Sequence, residues 1–331
     1  MIDVAIAGLG WWGRRMVESV QGRSDALRFS HACVRDPEKS RAFAGSQGIR
    51  LSASFEEIVR EPAVRALVLA TPHSLHVEQV VAAAAAGKPV YSEKPLALTL
   101  AGARRAVAAC ERAGVVLGLG TDRRFLPAMQ RLSALVADGS LGDLLHLEAQ
   151  YSNDNMSRGI SGGWRDDPAE APGAGMTGPG LHVLDALISL AGPLAAISGR
   201  MTRPFGAGRP VDTAAFLMRF AAGPSGLLGV VRGVPDYYRI AVFGTKGWAE
   251  LRQFGTLAIA LAGQPPATEE HDPRLTLAAG LEAFARAVEG GAPFPVSPDA
   301  MLDTAAAFET AIAALNREGW HTVPPGRAAD R

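Results

Sequence analysis

Short apolar runs alternate with amphipathic stretches along the first part of the chain, up to Gly120. The apolar runs are bounded by turn-forming residues, which is typical of buried strands, and the stretches between them have helical spacing. This alternation predicts a parallel sheet with helices on both faces. The predicted strands are Ile2–Ala7, Phe29–Val34, Ala66–Ala70, Pro89–Ser92 and Val115–Leu119. The predicted helices are Trp12–Val20, Pro37–Gln47, Phe55–Arg60, Ser74–Ala86 and Thr99–Ala113.

After Gly120 the pattern changes to strands in series. A helix over Phe125–Ala137, a strand over Leu144–Tyr151 and a helix over Leu181–Leu190 come first. Consecutive strands joined by short connections predict a largely antiparallel sheet and therefore an α+β half. The serial strands are Ala195–Thr202, Thr213–Phe220, Gly226–Arg232, Tyr237–Phe243 and Trp248–Leu251, and two helices over Leu275–Glu289 and Asp299–Asn316 follow.

A chain of 331 residues is long for one hydrophobic core, so two domains are expected. We predict a doubly wound α/β domain over residues 1–121 and an α+β domain with a largely antiparallel sheet over residues 122–331.

Charge and cysteine content exclude several classes of protein. The 33 Lys and Arg residues balance 33 Asp and Glu residues, so no global field attracts nucleic acid or an anionic membrane. Cys33 and Cys110 lack paired spacing and are expected to be reduced. The start has no basic signal-peptide region, and the longest apolar run, Val80 to Ala86, is too short to span a bilayer. We therefore expect a soluble, cytoplasmic protein.

A glycine-rich turn follows the first predicted strand and opens the first helix. It reads Gly8-Leu9-Gly10-Trp11-Trp12-Gly13, the G-x-G-x-x-G pattern. Such glycines allow a tight turn, close approach of a pyrophosphate and close packing of helix on strand, while the helix N-terminus favours phosphate charge. The pattern predicts that residues 1–121 form a Rossmann-type, dinucleotide-binding domain, the alternative being a glycine turn without a ligand.

The end of the second predicted strand bears on the choice of cofactor. A carboxylate that would hold the ribose 2′-hydroxyl is missing there, and Val34 is followed by Arg35. An arginine can bind a 2′-phosphate, which favours NADP, with NAD possible. The alternative is that Arg35 is solvated while Asp36 caps the next helix ahead of Pro37.

Further candidate residues follow the later predicted strands, at the edge where ligands of doubly wound sheets bind. They are Ala70, Thr71, Pro72 and His76 after one strand and Glu93 and Lys94 after the next. Pro95 disfavours helical backbone at Lys94, so the lysine is expected to project from a strand-end turn. Beside a nicotinamide, Lys94 can stabilise alkoxide charge. The alternative is a surface lysine on a turn.

Taken with these motifs, the chain resembles the Gfo/Idh/MocA family, named from glucose–fructose oxidoreductase, inositol dehydrogenase and a rhizopine-catabolism protein. The resemblance implies that Lys94 is catalytic, that its bond to Pro95 is cis, and that Trp164 and Arg165 approach the nicotinamide. It also implies that residues 122–331 form a substrate-binding and oligomerisation domain with an open-faced sheet, and that this open face forms a homodimer or homotetramer. It rests on the order and spacing of the glycine turn, Thr71-Pro72 with His76, Gly87-Lys88-Pro89, Glu93-Lys94-Pro95, Arg123-Arg124-Phe125 with Pro127, Gly139-Ser140-Leu141-Gly142, Trp164-Arg165, Gly180-Leu181-His182 and Phe243-Gly244-Thr245-Lys246-Gly247.

The second signature of that family, D-x-G-x-H, is altered here. The chain has the histidine, His182, but Gly178 stands where the aspartate is expected. His182 can still act as general base or acid, although another group must then orient it. Nearby candidates for that role are Thr177, Asp167 and Glu170, whereas Asp185 is expected to be structural. Substrate contacts are predicted from Lys94, Arg124, Thr177 and His182.

These features predict an oxidoreductase that transfers hydride between NAD(P) and a secondary alcohol or its ketone. By resemblance the substrate is a sugar, polyol, inositol or cyclic dihydrodiol. No metal site is expected, because the histidines form no H-E-x-x-H pattern and cysteines do not cluster. Two alternatives stay open: an NAD-dependent glycosidase or elimination enzyme that oxidises its substrate transiently, and a dinucleotide-binding redox sensor without catalysis.

Overall fold

The computed structural model describes residues 1–154, 163–203 and 212–328. It divides into two compact units. The first contains Met1–Ala97, Ala101–Thr121 and Leu275–Met301, and the second contains Leu98–Leu100, Asp122–Arg274 and Leu302–Arg331. The main chain passes from the first unit to the second between Thr121 and Asp122, the position predicted for the domain boundary. The segment Leu275–Met301, assigned from sequence to the second domain, belongs to the first unit.

The first unit is built on a six-stranded parallel sheet with the order β3-β2-β1-β4-β5-β6. This confirms the predicted doubly wound sheet. The strands are β1 (Ile2–Ala7), β2 (Leu27–Cys33), β3 (Arg50–Ser52), β4 (Ala66–Leu69), β5 (Val90–Glu93) and β6 (Leu117–Gly120). The helices are α1 (Trp11–Val20), α2 (Pro37–Ser46), α3 (Phe55–Arg60), α4 (His76–Ala85), α5 (Leu100–Ala113) and, from the C-terminal part, α8 (Thr276–Val288).

Local sequence explains where these elements begin. Every residue of β4 is fully buried, as expected of a central parallel strand with helices on both faces. Asp36 caps α2, its carboxylate accepting a hydrogen bond from the Lys39 amide. Ser54 caps α3 through the Glu57 amide, while the Glu57 carboxylate accepts from the Ala53 amide. The short strand β3 was not predicted, because its three residues are only partly buried.

The second unit contains a nine-stranded sheet with the order β14-β13-β12-β11-β7-β10-β9-β8-β15. Its pairs are antiparallel apart from β7 with β10, which confirms the predicted largely antiparallel sheet. The strands are β7 (Leu144–Asn153), β8 (Leu194–Thr202), β9 (Thr213–Phe220), β10 (Ser225–Arg232), β11 (Tyr237–Gly244), β12 (Gly247–Arg252), β13 (Thr256–Leu261), β14 (Ala267–Glu270) and β15 (His321–Thr322). The remaining helices are α6 (Pro127–Ala137), α7 (Pro179–Ala191) and α9 (Pro298–Ala314), of which α9 begins in the first unit.

One face of the nine-stranded sheet is covered and the other carries exposed side chains. Helix α7 packs against β7 and β10, and residues in β9 and β10 alternate between buried and exposed. One row of register partners runs across five strands: Leu217, Leu227, Glu148, Ala241 and Glu250. Leu217 is 52% exposed and Leu227 is 40% exposed, whereas Ala241 and Glu250 are buried. The open face therefore carries an exposed apolar pair, and the glutamates of the same row are paired with Arg239.

Within the ranges that the structure describes, no helix is both long enough and apolar enough to cross a membrane. Cys33 and Cys110 are free cysteines, as predicted. Burial, with a smaller contribution from Glu111, raises the pKa of the Cys110 thiol to about 11.

Candidate active site

The glycine turn lies between β1 and α1, at the carboxyl end of the sheet. The Gly8 amide donates to the Cys33 carbonyl over 2.9 Å, which joins the ends of β1 and β2. Gly8 has a φ of +98°, and a Cβ there would lie 2.5 Å from the carbonyl oxygen of Ala70. A Cβ at Gly13 would lie 2.0 Å from the carbonyl oxygen of Gly8. The backbone of this turn is therefore packed too closely for any larger residue at these two positions.

Gly10 has a different environment, which fits a phosphate. It is the N-cap of α1, and among the described residues no atom would lie within 4 Å of a Cβ placed on it. The first turn of α1 contains no acidic residue, so the positive helix end is not neutralised locally. The turn thus offers open space and a favourable field, which suit the pyrophosphate of a dinucleotide.

Two arginines of α1 shape the surroundings of the turn. Arg14 donates to the Leu9 carbonyl at 3.1 Å and to the Lys39 carbonyl at 3.0 Å, linking the glycine turn to α2. The Arg15 guanidinium lies 5.0 Å from the ring centroid of Trp11, whose side chain is 45% exposed. Arg35 is exposed two positions after β2. These positions agree with the predicted cofactor edge, although the roles of Trp11 and Arg35 stay predictions.

A buried histidine links the segments that follow β4 and β5. His76 has no exposed surface; its Nδ1 lies 2.8 Å from the Pro95 carbonyl oxygen and its Nε2 lies 3.1 Å from the Thr71 carbonyl oxygen. Lys94 is therefore followed directly by a residue that His76 ties to the end of β4. The Lys94–Pro95 bond is cis, as the family resemblance implies. Cofactor contacts from Ala70, Thr71, Pro72 and His76 stay predictions.

Glu93 binds the backbone of Lys94. Its side chain is buried, and the Lys94 amide donates to Glu93 Oε2 over 3.3 Å. A Cβ at Gly120 would lie 2.5 Å from Glu93 Oε1, so the carboxylate needs a glycine at the end of β6. Lys94 itself is partly exposed. The backbone of the predicted catalytic lysine is thus held by buried groups while its side chain reaches the surface of the unit.

In the second unit, His182 lies near the start of α7 beside a carboxylate that the sequence interpretation missed. His182 Nδ1 is 3.3 Å from Asp122 Oδ1, and their side chains are 11% and 3% exposed. The two atoms are close enough for an ion pair, but they are not aligned for a hydrogen bond. Asp122 was not among the candidates Thr177, Asp167 and Glu170. Its position directly after a strand at the predicted ligand edge was the signal available in the sequence.

Arg123 holds the other oxygen of Asp122. Its Nη1 donates to Asp122 Oδ2 at 2.9 Å and its Nη2 donates to the Tyr151 hydroxyl at 3.1 Å. Burial alone would lower the pKa of Arg123, yet the negative charge of Asp122 and the contact with Tyr151 raise it. The Tyr151 ring centroid is 6.1 Å from that of His182. Asp122, Arg123, Tyr151 and His182 therefore form one buried polar cluster, which we name the His182 cluster.

Aromatic rings surround the His182 cluster. The Arg123 guanidinium is 4.7 Å from the ring centroid of Phe254, which stacks on Tyr238 at 4.4 Å. Phe254 has a φ of +69° and Gln253 a φ of +46°, both uncommon for residues with a side chain. Burial raises the pKa of Tyr238 well above its ordinary value. The turn between β12 and β13 therefore has an unfavourable backbone conformation at Gln253 and Phe254. In this turn the Phe254 ring packs against the Arg123 guanidinium.

Arg124, predicted to contact substrate, forms a buried ion pair. Its Nε and Nη2 each donate to Asp185 over 2.7 Å, and the Thr304 hydroxyl donates to the same carboxylate over 3.2 Å. The Arg124 and Asp185 side chains are 13% and 1% exposed. Burial alone would lower the pKa of Arg124, but Asp185 raises it. Asp185 therefore has a structural contact, as expected, and a substrate role for Arg124 stays a prediction.

The loop before α7 is fixed by its own contacts. The Thr177 hydroxyl donates to the Pro172 carbonyl, and the Gly175 amide donates to Asp212 Oδ1 over 3.3 Å. A Cβ at Gly180 would lie 2.7 Å from Met176 Sδ, whereas a Cβ at Gly178 would meet only a carbonyl oxygen at 3.9 Å. Packing therefore requires a glycine at position 180, whereas it does not require one at position 178.

Trp164 and Arg165 lie in a short helical turn of the second unit, with the guanidinium 4.2 Å from the indole centroid. Their predicted approach to the nicotinamide stays a prediction. No group of three or more His, Cys, Asp or Glu side chains suited to a metal ion occurs in the described part of the chain.

Two protein-family models match the chain. Residues 2–121 match the model described as "Oxidoreductase family, NAD-binding Rossmann fold". Residues 129–250 match the model described as "GFO/IDH/MocA C-terminal domain". The two matches follow one another along the chain and lie on either side of the Thr121–Asp122 passage between the units.

Relatives with assigned names are similar over most of the chain. It is 30% identical to the rhizopine catabolism protein MocA of Rhizobium meliloti, over 94% of this chain and 95% of that protein. It is 28% identical to myo-inositol 2-dehydrogenase of Thermotoga maritima, over 74% and 73%. It is 30% identical to trans-1,2-dihydrobenzene-1,2-diol dehydrogenase of Oryctolagus cuniculus, over 66% and 65%. An alignment with an uncharacterized oxidoreductase of Streptococcus pneumoniae covers only 39% of that protein.

Solved structures share the fold. The aldose-aldose oxidoreductase from Caulobacter crescentus, complexed with glycerol, aligns with a TM-score of 0.86 at 26% identity, over 97% of this chain and 99% of that chain. A levoglucosan dehydrogenase in complex with NADH and L-sorbose aligns with a TM-score of 0.86 at 21% identity, over 98% and 99%.

Proposed function

Because this chain belongs to the Gfo/Idh/MocA family of oxidoreductases, we propose that it interconverts a secondary alcohol and its ketone with NAD(P) as cofactor. The substrate class that we propose is a sugar, polyol, inositol or cyclic dihydrodiol. The named relatives support this class, since their names refer to rhizopine, myo-inositol and a dihydrodiol.

The first unit supplies the binding of the dinucleotide and the charge at the reacting oxygen. The open space over Gly10 fits the pyrophosphate at the start of α1. Hydride transfer is the chemistry that a bound nicotinamide supplies. Lys94 donates a hydrogen bond from its ammonium group to the substrate oxygen, and so stabilises the negative charge that develops there. In the absence of this donor the alkoxide would form without a nearby positive charge.

The second unit supplies the proton relay. His182 takes the hydroxyl proton when the alcohol is oxidised and returns a proton when the ketone is reduced. The His182 side chain is 11% exposed, which limits proton exchange with bulk water. Trp164, Arg165, Arg124 and Thr177 remain proposed contacts to the cofactor or substrate.

We infer a preference for NADP from the exposed Arg35 after β2. No carboxylate follows directly at the tip of that strand, since Val34 precedes Arg35. A guanidinium can pair with a 2′-phosphate through two hydrogen bonds. Asp36 caps α2 and accepts from the Lys39 amide, so its carboxylate has a structural contact of its own. NAD stays possible.

One observation carries the proposal. Gly10 and Lys94 follow β1 and β5, and the carboxyl ends of both strands lie at the same edge of one parallel sheet. At this edge, at the point where the strand order reverses, doubly wound sheets bind their ligands. The shared edge of the sheet supports the proposal that the turn at Gly10 binds the dinucleotide and that Lys94 acts at the same site.

The test is a substrate panel with NADP+ and NAD+, followed by absorbance of the reduced cofactor. The panel contains inositols, aldoses, alditols and cyclic diols. We expect net formation of reduced cofactor with at least one member, and loss of that signal in Lys94→Ala. A protein that binds the cofactor tightly but reduces none over the whole panel would instead be a sensor. Consumption of a substrate without net reduction of cofactor would indicate the elimination chemistry.

We further propose that the open sheet face joins copies of this chain into a homodimer or homotetramer. The exposed Leu217 and Leu227 are direct register partners on that face and support the proposal. Sedimentation of a Leu217→Lys/Leu227→Lys variant should give a monomer. Leu145→Lys is the matched control, since Leu145 is 55% exposed but lies off that row. An unchanged mass for the double variant contradicts the proposal. A cytoplasmic location also stays a prediction.

A further inference from the structure

We propose that Asp122 is the positioning carboxylate for His182, and that it takes the role that Gly178 cannot perform. The inference rests on the proposed function of His182 as proton relay. Asp122 precedes α7 by a long stretch of sequence, so no local motif links the two residues. The structure nevertheless brings Asp122 Oδ1 within 3.3 Å of His182 Nδ1.

The contact with Asp122 gives the two ring nitrogens of His182 different roles. A carboxylate facing Nδ1 favours the tautomer with the proton on Nδ1. The lone pair then lies on Nε2, which is the atom able to accept a proton from an alcohol. When Nε2 takes that proton the O–H bond breaks, an N–H bond forms and the ring becomes positively charged. Asp122 stabilises this charge without itself taking up a proton.

The contacts of the Asp122 carboxylate agree with a role in positioning His182. Arg123 holds Oδ2 at 2.9 Å, which fixes the carboxylate and leaves Oδ1 toward His182. Among the described atoms, Oδ1 is buried and has no aligned hydrogen-bond donor. A buried carboxylate oxygen without a hydrogen-bond donor destabilises the folded state, so its presence needs an explanation. A small rotation of the imidazole would align Nδ1–H with this oxygen and satisfy it.

Other charged and titratable groups belong to the His182 cluster or lie next to it. Arg123 and Tyr151 are bound to one another, and Arg123 also binds Asp122. Asp185, on the same helix as His182, is bound by Arg124. Tyr238 lies behind Tyr151, with ring centroids 5.3 Å apart, and burial raises its pKa. The Asp122 carboxylate lies within ion-pair distance of the imidazole, with Oδ1 3.3 Å from His182 Nδ1.

Gly178 makes a direct exchange experiment possible. Among the described residues, a Cβ at that position meets nothing closer than the Gly175 carbonyl oxygen at 3.9 Å, so the backbone there accepts a residue with a side chain. Position 178 is also where the family signature has its carboxylate. If Asp122 performs that role, a carboxylate restored at 178 should compensate for its loss at 122. A purely structural function of Asp122 would not be rescued in this way.

The first test is an NMR measurement that needs neither substrate nor cofactor. Imidazole 15N shifts of His182 are followed against pH in the wild type, Asp122→Asn and the control Asp138→Asn, with assignment by His182→Asn. We expect the Nδ1–H tautomer in the wild type and a titration midpoint lowered by about one pH unit in Asp122→Asn, because the anion is removed. An Nε2–H tautomer in the wild type, or an unshifted midpoint in a folded Asp122→Asn, overturns the proposal.

The second test is kinetic. In Asp122→Asn we expect kcat for alcohol oxidation to fall about tenfold or more. The Kd for the dinucleotide should stay within about threefold, and the acid limb of the pH profile should move to lower pH. Asp122→Asn/Gly178→Asp should recover much of kcat. If the double variant is as slow as the folded single variant, the positioning role is wrong. If the wild type turns over nothing, the proposed function fails, while the NMR result still decides the role of Asp122.

Discussion

The cofactor edge of the first unit and the His182 cluster of the second unit are built in different ways. At the cofactor edge, backbone groups and glycines dominate: close packing requires glycine at Gly8 and Gly13, and Gly10 leaves open space at the start of α1. In the His182 cluster, side chains dominate, and they come from segments far apart in the sequence. The glycine turn at the cofactor edge follows the G-x-G-x-x-G pattern. The segment that ends at His182 departs from the family's D-x-G-x-H pattern at Gly178.

This difference shows which parts of a site tolerate change. A pyrophosphate turn needs a Cβ-free backbone at fixed points, and a Cβ at Gly13 would lie 2.0 Å from a carbonyl oxygen. A proton relay needs only a carboxylate near one ring nitrogen, and that carboxylate can come from another segment. Four measurements on single variants, in order of decreasing effect, test whether the two regions differ in this way.

The largest effect is expected at Lys94. Lys94→Ala should lower turnover about a thousandfold, because the developing charge on the substrate oxygen loses its donor. Cofactor affinity should stay within about threefold, since the pyrophosphate turn is untouched. Steady-state kinetics and fluorescence titration of NADPH measure the two quantities. The control is Lys39→Ala, an 84% exposed lysine side chain on α2. Turnover within twofold of wild type in Lys94→Ala excludes the catalytic role.

The Arg124–Asp185 pair should contribute mainly to stability. Arg124→Ala leaves Asp185 buried without its bidentate partner, so the free energy of unfolding of the second unit should fall by about 3 kcal/mol. Chemical denaturation followed by circular dichroism provides the measurement. Arg131→Ala is the control and should cost less than about 1 kcal/mol, because the Arg131 side chain is 40% exposed. A stable Arg124→Ala variant with a raised KM would instead favour the predicted substrate contact.

At His182 the expected effect is about a hundredfold on turnover. His182→Asn removes the group that exchanges the proton, while the asparagine amide can still accept a hydrogen bond. His146→Asn is the matched control, since His146 lies in β7 and its Nδ1 contacts the Ser225 hydroxyl. Steady-state kinetics across the pH range gives the measurement. If His182→Asn keeps wild-type turnover and its acid limb, the relay must be sought elsewhere.

Arg35 should have the smallest effect, limited to cofactor choice. Arg35→Ala should weaken NADPH binding about tenfold, equivalent to about 1.4 kcal/mol, and leave NADH binding nearly unchanged. Fluorescence titration of both cofactors against wild type provides the numbers, with the exposed Arg41→Ala on α2 as control. Tighter binding of NADH than NADPH by the wild type contradicts the inferred preference.

The sequence predicted the first unit well because its signals are local. Buried runs such as Ala66–Leu69 and the spacing of Ser54 with Glu57 depend on neighbouring residues, and the structure confirms both. The short strand Arg50–Ser52 was missed because three partly buried residues give little signal. The strands Thr256–Leu261 and Ala267–Glu270 were also missed, the second because three of its four residues are exposed.

The carboxylate beside His182 could not be found by the same reasoning. The predicted candidates Asp167, Glu170 and Thr177 are close to His182 in sequence, whereas the contact is made by Asp122. Only tertiary folding brings these two positions together. The role of Arg124 was equally hidden, since its partner Asp185 lies in another helix and Thr304 in a third segment.

The most direct test of the central claim is to follow the hydride itself. A substrate found in the panel is labelled with deuterium at the carbinol carbon and incubated with the oxidised cofactor. The account predicts one deuterium per turnover at C4 of the nicotinamide and a ketone without deuterium, with neither product formed by Lys94→Ala. Deuterium that remains in the product, or that appears in water, would contradict net hydride transfer and favour transient oxidation followed by elimination.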